Sequence, residues 1–368
     1  MTGNIVGERF VLVSFGESHG KVVGAVIDGC PAGLALSEED IQKELELRKP
    51  GQSIVTTQRR ESDLVEIMSG TFQGRTTGAP LMMLIRNQDQ DSRAYEALVN
   101  VPRPGHADAT AKAKYGGFND YRGGGRFSGR ITASFVMGGA VAKKLLRETL
   151  GIEVIAYTLE LGGLGAGEFT LEDAKKYRYA NEVRSPNPRT AEEMKNKVIA
   201  ARGKGDSLGG IVECVATNVP VGLGEPVFGS LDSDLARMAL SIPAAKGVEF
   251  GTGFGAARLT GTQNNDLFFM REGKLLTNTN NAGGILGGIS TGMPLAYRIV
   301  FKPAASIASK QRTYDTEKKE LVDLVVPGRH DPTVVPRAVP VVESVTALVL
   351  ADHAIRAGFI APVLGRKD

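Results

Sequence analysis

Three of the four histidines in this chain lie in turns that contain glycine or proline beside charged or hydroxyl residues. The surrounding sequences are GESHG at His19, RPGHAD at His106 and GRHDP at His330. Histidine titrates near neutral pH and readily carries protons, and glycine lets the backbone approach a ligand closely. These turns therefore predict an active site that handles protons and anions. The fourth histidine, His353, is expected to be an ordinary helix residue.

A glycine-rich segment, KYGGFNDYRGGGRFSGR at residues 114–130, is the densest candidate for anion binding. Arg122, Arg126 and Arg130 recur in it every fourth residue, but three consecutive glycines disfavour a stable helix there. We expect the arginines to project from a loop and converge on a phosphate. The helix predicted to follow would direct its positive dipole end at the same anion. The alternative is a flexible surface loop.

Other basic residues lie in two further segments and beside the histidine turns. The segments RKPGQS, from Arg48, and TTQRR, ending at Arg60, form a second cluster that taken alone is more often a solvated loop. Arg103, Arg329 and Arg337 accompany the histidine turns. Arginine in turns bounded by proline and glycine favours fixed, bidentate contacts with anions.

Paired glycines in NNAGGILGGIS, residues 280–290, precede a predicted strand, and KPAAS, beginning at Lys302, follows it. The glycines fit either a tight crossing of strands or a backbone surface on which a flat ring lies. A third glycine pattern, GTGFGA at residues 251–256, matches the dinucleotide fingerprint, but no helix is predicted after it, so we reject a Rossmann site. The histidines lack the paired spacing of a zinc site, and we expect no metal.

The composition indicates an ordinary globular protein. The chain has 368 residues, a net charge of +3 from 44 basic and 41 acidic residues, and no long uncharged apolar stretch. This balance argues against a nucleic-acid surface and a membrane span. The two cysteines, Cys30 and Cys214, cannot form a disulfide framework and are expected to be small core residues in a reducing compartment.

The periodicity predicts elements that position these turns. Strands are expected over 10–15, 22–27, 64–68, 81–85, 207–219 and 295–302, and helices over 38–48, 131–150, 170–177, 188–202, 230–241 and 338–357. Ser37 is the expected cap of the first helix, and the second ends at Gly151. Its small residues 138–140 predict close packing. Because strands and helices do not alternate regularly, the fold class is α+β.

Together these segments resemble the chorismate synthase family. The resemblance runs in order from about Arg9 to His353 and includes GESHG, RKPGQS, TTQRRESD, RPGHAD, KYGGFNDYRGGGRFSGR, AAKGVEFGTGF, NNAGGILGGISTGMP, KPAASI and GRHDPTVVPRAVPVVES. It implies conversion of 5-enolpyruvylshikimate-3-phosphate to chorismate by 1,4-elimination of phosphate, the last common step of the shikimate pathway to aromatic amino acids. The family needs reduced FMN although the reaction is redox-neutral, and NADPH is a possible indirect reductant.

The resemblance also implies an architecture. It is a single catalytic domain over residues 1–368, a sandwich with a helical layer between antiparallel sheets, assembled as a cytoplasmic homotetramer. No contact with nucleic acid or a membrane is implied.

Catalytic roles follow from the same resemblance. It implies that His19, with Ser18 beside it, is the general acid for the departing phosphate. His106 is the residue that stabilises charge on the reduced flavin, and Asp331 the base near flavin N5. Ser128 belongs to the same set. His330, next to Asp331, stays open between a functional and a structural role.

The resemblance assigns binding residues as well. The implied FMN contacts are Arg126, Phe127, Ser128, Pro243, Ala244, Gly287, Lys302, Pro303, Ala304, Ala305, Ser306 and Arg329. Since the substrate carries two carboxylates and a phosphate, the protein needs a local arginine cluster to bind it. The candidates are Arg48, Arg60, Arg130, Arg329 and Arg337. Arg48 is also the candidate NADP contact.

Three positions depart from the family pattern. Ile54 stands where many relatives carry an arginine assigned to the nicotinamide donor, which weakens direct NADPH contact. Pro243 replaces a common asparagine, and Thr333 replaces a frequent cysteine.

Two other functions stay open. One is a flavin- or phosphometabolite-binding protein without catalysis, against which His19, His106 and Asp331 argue. The other is an NADPH-dependent flavin reductase, which would consume NADPH without the shikimate substrate.

Overall fold

The computed structural model describes residues 3–49, 51, 55, 62–88, 93–96, 98–326 and 330–365. Three positions named above, Ile54, Arg60 and Arg329, lie outside the described residues.

Two five-stranded sheets form the outer layers. The strands of the described residues are β1 (Ile5–Val6), β2 (Val11–Gly16), β3 (Val22–Asp28), β4 (Val65–Ser69), β5 (Thr71–Phe72), β6 (Arg75–Thr76), β7 (Leu81–Arg86), β8 (Glu153–Leu161), β9 (Leu164–Gly165), β10 (Gly210–Thr217), β11 (Ala245–Phe250), β12 (Phe268–Arg271), β13 (Lys274–Thr277), β14 (Ile285–Leu286), β15 (Ile289–Ser290), β16 (Leu295–Phe301), β17 (Gln311–Asp315) and β18 (Glu320–Leu324). The first sheet has the order β1-β2-β3-β7-β4 and the second β11-β16-β10-β8-β9. Neighbouring strands in both are antiparallel.

Helices fill the space between the sheets and cover their ends. Those of the described residues are α1 (Glu38–Arg48), α2 (Arg93–Glu96), α3 (Asp108–Tyr115), α4 (Thr132–Leu150), α5 (Leu171–Tyr177), α6 (Pro188–Gly203), α7 (Leu231–Leu240), α8 (Gly261–Asn264) and α9 (Val335–Arg356). Short 3-10 turns span Arg122–Phe127, Gly129–Ile131 and Gly253–Arg258. The last of these is too short for the helix of a dinucleotide fingerprint, which agrees with the rejection of a Rossmann site.

The two longest helices make the central layer. Helix α4 packs on β2 and β3 of the first sheet, α9 packs on β8 and β10 of the second, and the two helices pack on each other. Along β10 every second residue is buried, as expected for a strand with one face on this layer. The predicted α+β sandwich, with helices between antiparallel sheets, is confirmed.

Capping residues explain why several helix bounds were predictable. The Ser37 hydroxyl accepts from Asp40 N, and the Asp40 carboxylate accepts from Ser37 N at 2.9 Å, so α1 starts with a capping box. Helix α4 ends at Gly151, whose φ is +67°. The last helix was predicted to start at 338 but starts at Val335, because Pro336 lies in the first turn, where a missing N–H is tolerated.

Helix α9 is the one helix of the described residues that is long and apolar enough to cross a membrane, with a mean hydropathy of 1.5. The protein buries 94% of that apolar window, as expected for the core helix of a sandwich. Cys30 and Cys214 are also buried and free, as predicted. Burial raises the pKa of each thiol to about 12, so neither is poised for reaction.

Candidate active site

A cavity of about 680 Å³ lies where the glycine-rich segment meets the start of α4, the loop after β16 and the first turns of α9. Its volume is typical of a small-molecule site. The lining combines cations with small apolar residues. It includes Arg48, Tyr95, Arg103, His106, Gly123, Arg126, Phe127, Ser128, Arg130, Ile242, Pro243, Ala244, Lys246, Lys302, Pro303, Ala304, Ala305, Ser306, His330, Asp331 and Arg337.

The three consecutive glycines form a turn at the edge of this cavity, and Gly123 lines it. Gly123, Gly124 and Gly125 have φ values of +59°, +82° and +51°, in the region that favours glycine. A Cβ on Gly123 would lie 2.2 Å from Cδ2 of His19, and one on Gly124 would lie 3.2 Å from Cε1 of His106. The turn therefore brings both histidines against one short stretch of backbone, which no larger residue would allow.

His19 lies behind this turn. It is 4% exposed, and its ring packs edge-on against Tyr95 with centroids 5.2 Å apart. Neighbouring Ser18 is 1% exposed, and its hydroxyl has no hydrogen-bond partner within the described part of the chain. Gly123 and Tyr95 line the cavity, whereas His19 and Ser18 form the next layer. A buried hydroxyl without a partner beside a cavity wall fits a group that meets a ligand.

His106 faces the cavity as part of a cluster with Asp108 and Arg103. Its Nδ1 lies 2.6 Å from Oδ1 of Asp108, and Arg103 donates to both oxygens of that carboxylate, at 2.7 and 2.8 Å. Burial by itself would raise the pKa of Asp108, but the hydrogen bonds from Arg103 and His106 outweigh it and hold that pKa well below its usual range. Arg103 also donates to Ser306 Oγ at 3.0 Å and so ties the cluster to the loop after β16.

Asp63, which sequence reasoning did not single out, lies between two of the candidate substrate arginines. Arg48 Nη1 donates to it at 3.2 Å, and Arg130 Nη1 donates to its other oxygen. Burial opposes ionisation of Asp63, but the charges of Arg48 and Arg130 keep its pKa low. Only its place in the motif TTQRRESD pointed to it, and the contact with Arg130 joins residues 67 apart in sequence.

Arg48 itself is 1% exposed. Besides Asp63 it binds Thr132 Oγ1 and the carbonyl oxygen of Gly129, at 3.1 and 3.0 Å. It therefore fixes the start of α4 beneath the cavity and still contributes to the lining.

The three arginines of the glycine-rich segment do not converge as predicted. Arg122 pairs with Asp120 at 2.8 Å. Arg126 donates to the carbonyl oxygen of Gly16 and to Asn4 Oδ1, both at 2.8 Å, and Arg130 binds Asp63 and Asn87. The arginines project from a non-helical turn, as expected, but the expected convergence was wrong because Asp120 holds Arg122 outside the described lining of the cavity. Arg126 and Arg130 still line the cavity.

The lining also holds most of the described residues that the resemblance assigned to the flavin. Lys302 Nζ donates to the carbonyl oxygen of Gly105 at 2.7 Å, which places the loop after β16 against the turn of His106. Burial, with a smaller contribution from Lys246, lowers the pKa of Lys302. The backbone N–H of Lys302 donates to the carbonyl oxygen of Ala244 at 3.0 Å, and Pro243, Phe127 and Ser128 are also in the lining. Ser128 Oγ accepts from Arg130 N at 3.2 Å.

Among the described residues that the resemblance assigned to the flavin, Gly287 is the one that does not line the cavity. It lies in the turn between β14 and β15, outside the described lining, and a Cβ there would meet nothing within 4 Å. Its neighbours explain the glycine pairs: Cβ atoms on Gly283 and Gly284 would lie 2.5 and 2.6 Å from backbone atoms, and one on Gly288 would lie 2.4 Å from Ser230 Cβ. These contacts favour the tight-crossing interpretation left open above.

Asp331 lines the cavity beside α9, and Arg337 Nη1 donates to its Oδ2 at 2.7 Å. A predicted base and a predicted substrate ligand thus form an ion pair. His330 Nε2 donates to the carbonyl oxygen of Val326 at 3.0 Å, which anchors the turn while the ring still lines the cavity. His353 is buried in α9 and pairs with Asp234 at 2.9 Å, in agreement with the prediction of a helix residue.

Comparisons with known proteins bear on this site. The sequence model of a family described as chorismate synthase matches residues 10–355. The chain is 56% identical over 356 residues to a protein named chorismate synthase from Korarchaeum cryptofilum (strain OPF8), which covers 97% of this chain and 98% of that protein. A protein of the same name from Methanosarcina mazei (strain ATCC BAA-159 / DSM 3647 / Goe1 / Go1 / JCM 11833 / OCM 88) is 52% identical over 362 residues, 98% of this chain and 99% of that one. A solved structure described as "Crystal Structure of Chorismate Synthase" superposes with a TM-score of 0.74 at 32% identity, covering 95% of this chain and 93% of the other.

Proposed function

From the premise that this chain belongs to the chorismate synthase family, we propose which of its side chains perform the reaction. The protein is a lyase that eliminates phosphate from 5-enolpyruvylshikimate-3-phosphate to give chorismate. The observation that carries our assignment is the glycine turn, which holds His19 and His106 against one wall of a cavity rich in cations.

His19 is the proposed general acid. In the elimination a ring C–H bond and the allylic C–O bond both break, and the C–H electrons form the new double bond. Phosphate departs with the C–O electron pair, and a proton delivered to its oxygen lowers the barrier. His19 lies directly behind Gly123, which carries no side chain to keep the ring from the departing phosphate. Beside it is the Ser18 hydroxyl, which has no hydrogen-bond partner among the described residues.

Asp331 is the proposed base that accepts the ring proton. Its ion pair with Arg337 holds one carboxylate oxygen in a fixed direction at the edge of the cavity. Arg48 and Arg130, with Arg337, are the proposed cations that attract the carboxylates and phosphate of the substrate. Asp63 sets the direction of the first two.

The family requires a flavin, and the residues present fit one. Small apolar residues, Pro243, Ala244, Pro303, Ala304 and Ala305, give a surface for a flat ring, while Lys246, Lys302 and Arg126 provide charge for a phosphate. We propose reduced FMN, which when bound lends electron density to the substrate and recovers it, so that net oxidation is zero. His106 would stabilise the negative charge of the reduced ring, and Ser128 and Ser306 lie close to the same space.

The test is an anaerobic assay with 5-enolpyruvylshikimate-3-phosphate and chemically reduced FMN. We expect phosphate and chorismate in equal amounts, and failure to form either would contradict the assignment. A second reaction with oxidised FMN and NADPH shows whether NADPH serves as the reductant. This is expected if Arg48 contacts NADP. Rapid NADPH consumption without the shikimate substrate would instead favour the flavin reductase.

The surface supports a homotetramer. Large apolar side chains are exposed on neighbouring segments around β11 to β15, among them Phe228 at 96% and Phe254 at 80%. Gly224 lies against Gly288, and Gly251 against Asn281, so these segments form one region. Exposed apolar patches of this kind mark protein contacts. We propose that four copies bury it.

We also propose that residues 1–368 form one catalytic domain, because a single buried apolar cluster includes residues of both sheets and of the helices between them. The two buried free thiols support a reducing, cytoplasmic location.

A further inference from the structure

We propose that Asp108 is a positioning residue that fixes the tautomer of His106, so that the Nε2 edge of the ring faces the glycine turn. The inference deepens the proposed function, because it rests on His106 as the charge-handling group of this cavity. Asp108 does not line the main cavity among the described residues and acts through His106.

Three groups converge on the Asp108 carboxylate. His106 Nδ1 lies 2.6 Å from Oδ1, and Arg103 Nη2 lies 2.7 Å from the same oxygen. Arg103 Nε and its backbone N–H donate to Oδ2 at 2.8 and 3.0 Å. Asp108 is also the first residue of α3, where the helix dipole favours a negative charge. The carboxylate is therefore held ionised and in one orientation.

An ionised carboxylate accepts hydrogen bonds and cannot donate them. If Nδ1 of His106 carried no proton, its lone pair would face an Asp108 oxygen at 2.6 Å, which is strongly unfavourable. Arg103 Nη2 also lies 3.0 Å from Nδ1, but a guanidinium only donates, and it already donates to Asp108. The proton therefore sits on Nδ1, and in the neutral ring Nε2 is the acceptor.

The Nε2 edge of His106 faces the glycine turn, and Arg103 Nη2, which can only donate, lies 3.4 Å from Nε2. A Cβ on Gly124 would lie 3.3 Å from Nε2 and 3.2 Å from Cε1, so the ring approaches the backbone of the turn directly. Arg103 extends the cluster to Ser306 at 3.0 Å and fixes the ring relative to the loop that begins at Lys302. In this arrangement Nδ1 carries the proton of the neutral ring, and the lone pair of Nε2 faces the glycine turn.

The tautomer can be read directly by nitrogen NMR on protein labelled with ¹⁵N-histidine, without flavin, at a pH where the rings are neutral. The chain has only four histidines, and His106→Ala identifies the signal. We expect the Nδ1–H form in the wild type and a shift toward Nε2–H in Asp108→Asn. Asp108→Glu, which keeps a carboxylate, should restore the Nδ1–H form at least in part. An Nε2–H signal for His106 in the wild type would overturn the proposal even if Asp108→Asn does not fold.

The kinetic arm uses the same variants in the anaerobic assay. Asp108→Asn should lower kcat by on the order of 10–10²-fold, with KM for the shikimate substrate within about twofold, and Asp108→Glu should recover most of kcat. Asp173→Asn is the control, since Asp173 caps α5 through Thr170 and is absent from the described lining. An equal loss in the control would contradict a specific role. If His106→Ala keeps full activity while Asp108→Asn changes the tautomer, the proposed role of His106 fails and the positioning by Asp108 stands.

Discussion

The two histidines at the glycine turn are held in different ways, and the difference separates their proposed roles. His106 has a charged partner, Asp108, on Nδ1. His19 instead packs against the ring of Tyr95 beside a hydroxyl without a partner. The first environment suits a residue that stabilises charge in a fixed orientation, and the second, buried behind Gly123, suits the proposed proton donor.

His19→Ala should lower kcat by on the order of 10²–10⁴-fold, because general acid catalysis contributes about that much. The measurement is the steady-state rate of chorismate formation under anaerobic conditions. His353→Gln serves as the control, since His353 of α9 pairs with Asp234 of α7 and should affect stability more than kcat. Turnover near the wild-type rate in His19→Ala would rule out the general-acid role.

Asp63→Asn should reduce the free energy of unfolding by about 3–5 kcal/mol at pH 7, because it leaves Arg48 and Arg130 without their buried counter-charge. The φ of Asp63 is +47°, a conformation that asparagine also tolerates, so the substitution tests the charge. Urea denaturation gives the value. Asp323→Asn, which breaks an exposed pair with Lys310, should change it by less than about 1 kcal/mol.

Asp63→Asn should also change how the free energy of unfolding depends on pH. The pKa of Asp63 is lowered by folding, so its stabilising effect is complete above the unfolded value of about 3.9 and is lost as the pH falls through the folded value. The difference in free energy of unfolding between the wild type and Asp63→Asn should therefore become smaller below about pH 4. If this difference in free energy stays constant down to the pH of acid unfolding, the charge of the Asp63 carboxylate is not the cause of the stabilisation.

At the scale of elements, the crossing of α4 and α9 determines how closely the layers approach. Glu343 of α9 is fully buried and accepts from Lys143 of α4 at 2.8 Å and from the backbone N–H of Ala156 in β8 at 3.0 Å. Burial alone would raise its pKa, but Lys143 and Arg178 hold it below the usual value. One charged group thus connects both helices to the second sheet.

Gly139→Ala should destabilise the protein by about 1–3 kcal/mol or more, because a Cβ there would lie 2.3 Å from Ser344 Cβ and 2.5 Å from Ser344 Cα. The free energy of unfolding in urea measures the effect. The matched control is Gly203→Ala at the end of α6, where a Cβ meets nothing within 4 Å and should be neutral or slightly stabilising. Equal effects of the two substitutions would show that the helix crossing tolerates a methyl group.

At the scale of the whole molecule, we expect four chains of 39.0 kDa each in solution. Phe228→Asp places a charge on the most exposed of the apolar side chains and should shift the assembly to smaller species. Sedimentation velocity measures the change, and Phe118→Asp, on an equally exposed residue of the glycine-rich segment, is the control. A wild-type protein that sediments as a monomer would contradict the proposed tetramer.

The sequence by itself determined the elements, because caps, breakers and periodicity are local: Ser37 starts α1, and Gly151 ends α4. The motifs were also sufficient for the family. The expected convergence of Arg122, Arg126 and Arg130 on one anion was wrong, since Arg122 pairs with Asp120 and is absent from the described lining.

Only the tertiary structure decided which charges meet. It brought Asp63 between Arg48 and Arg130, paired Asp331 with Arg337, and placed His19 and His106 on one glycine turn. His19 and Gly123 are more than a hundred residues apart, the first in the turn between β2 and β3 and the second in the turn that precedes α4. Their contact depends on how the first sheet packs on α4, and this long-range packing cannot be read from a local pattern of residues.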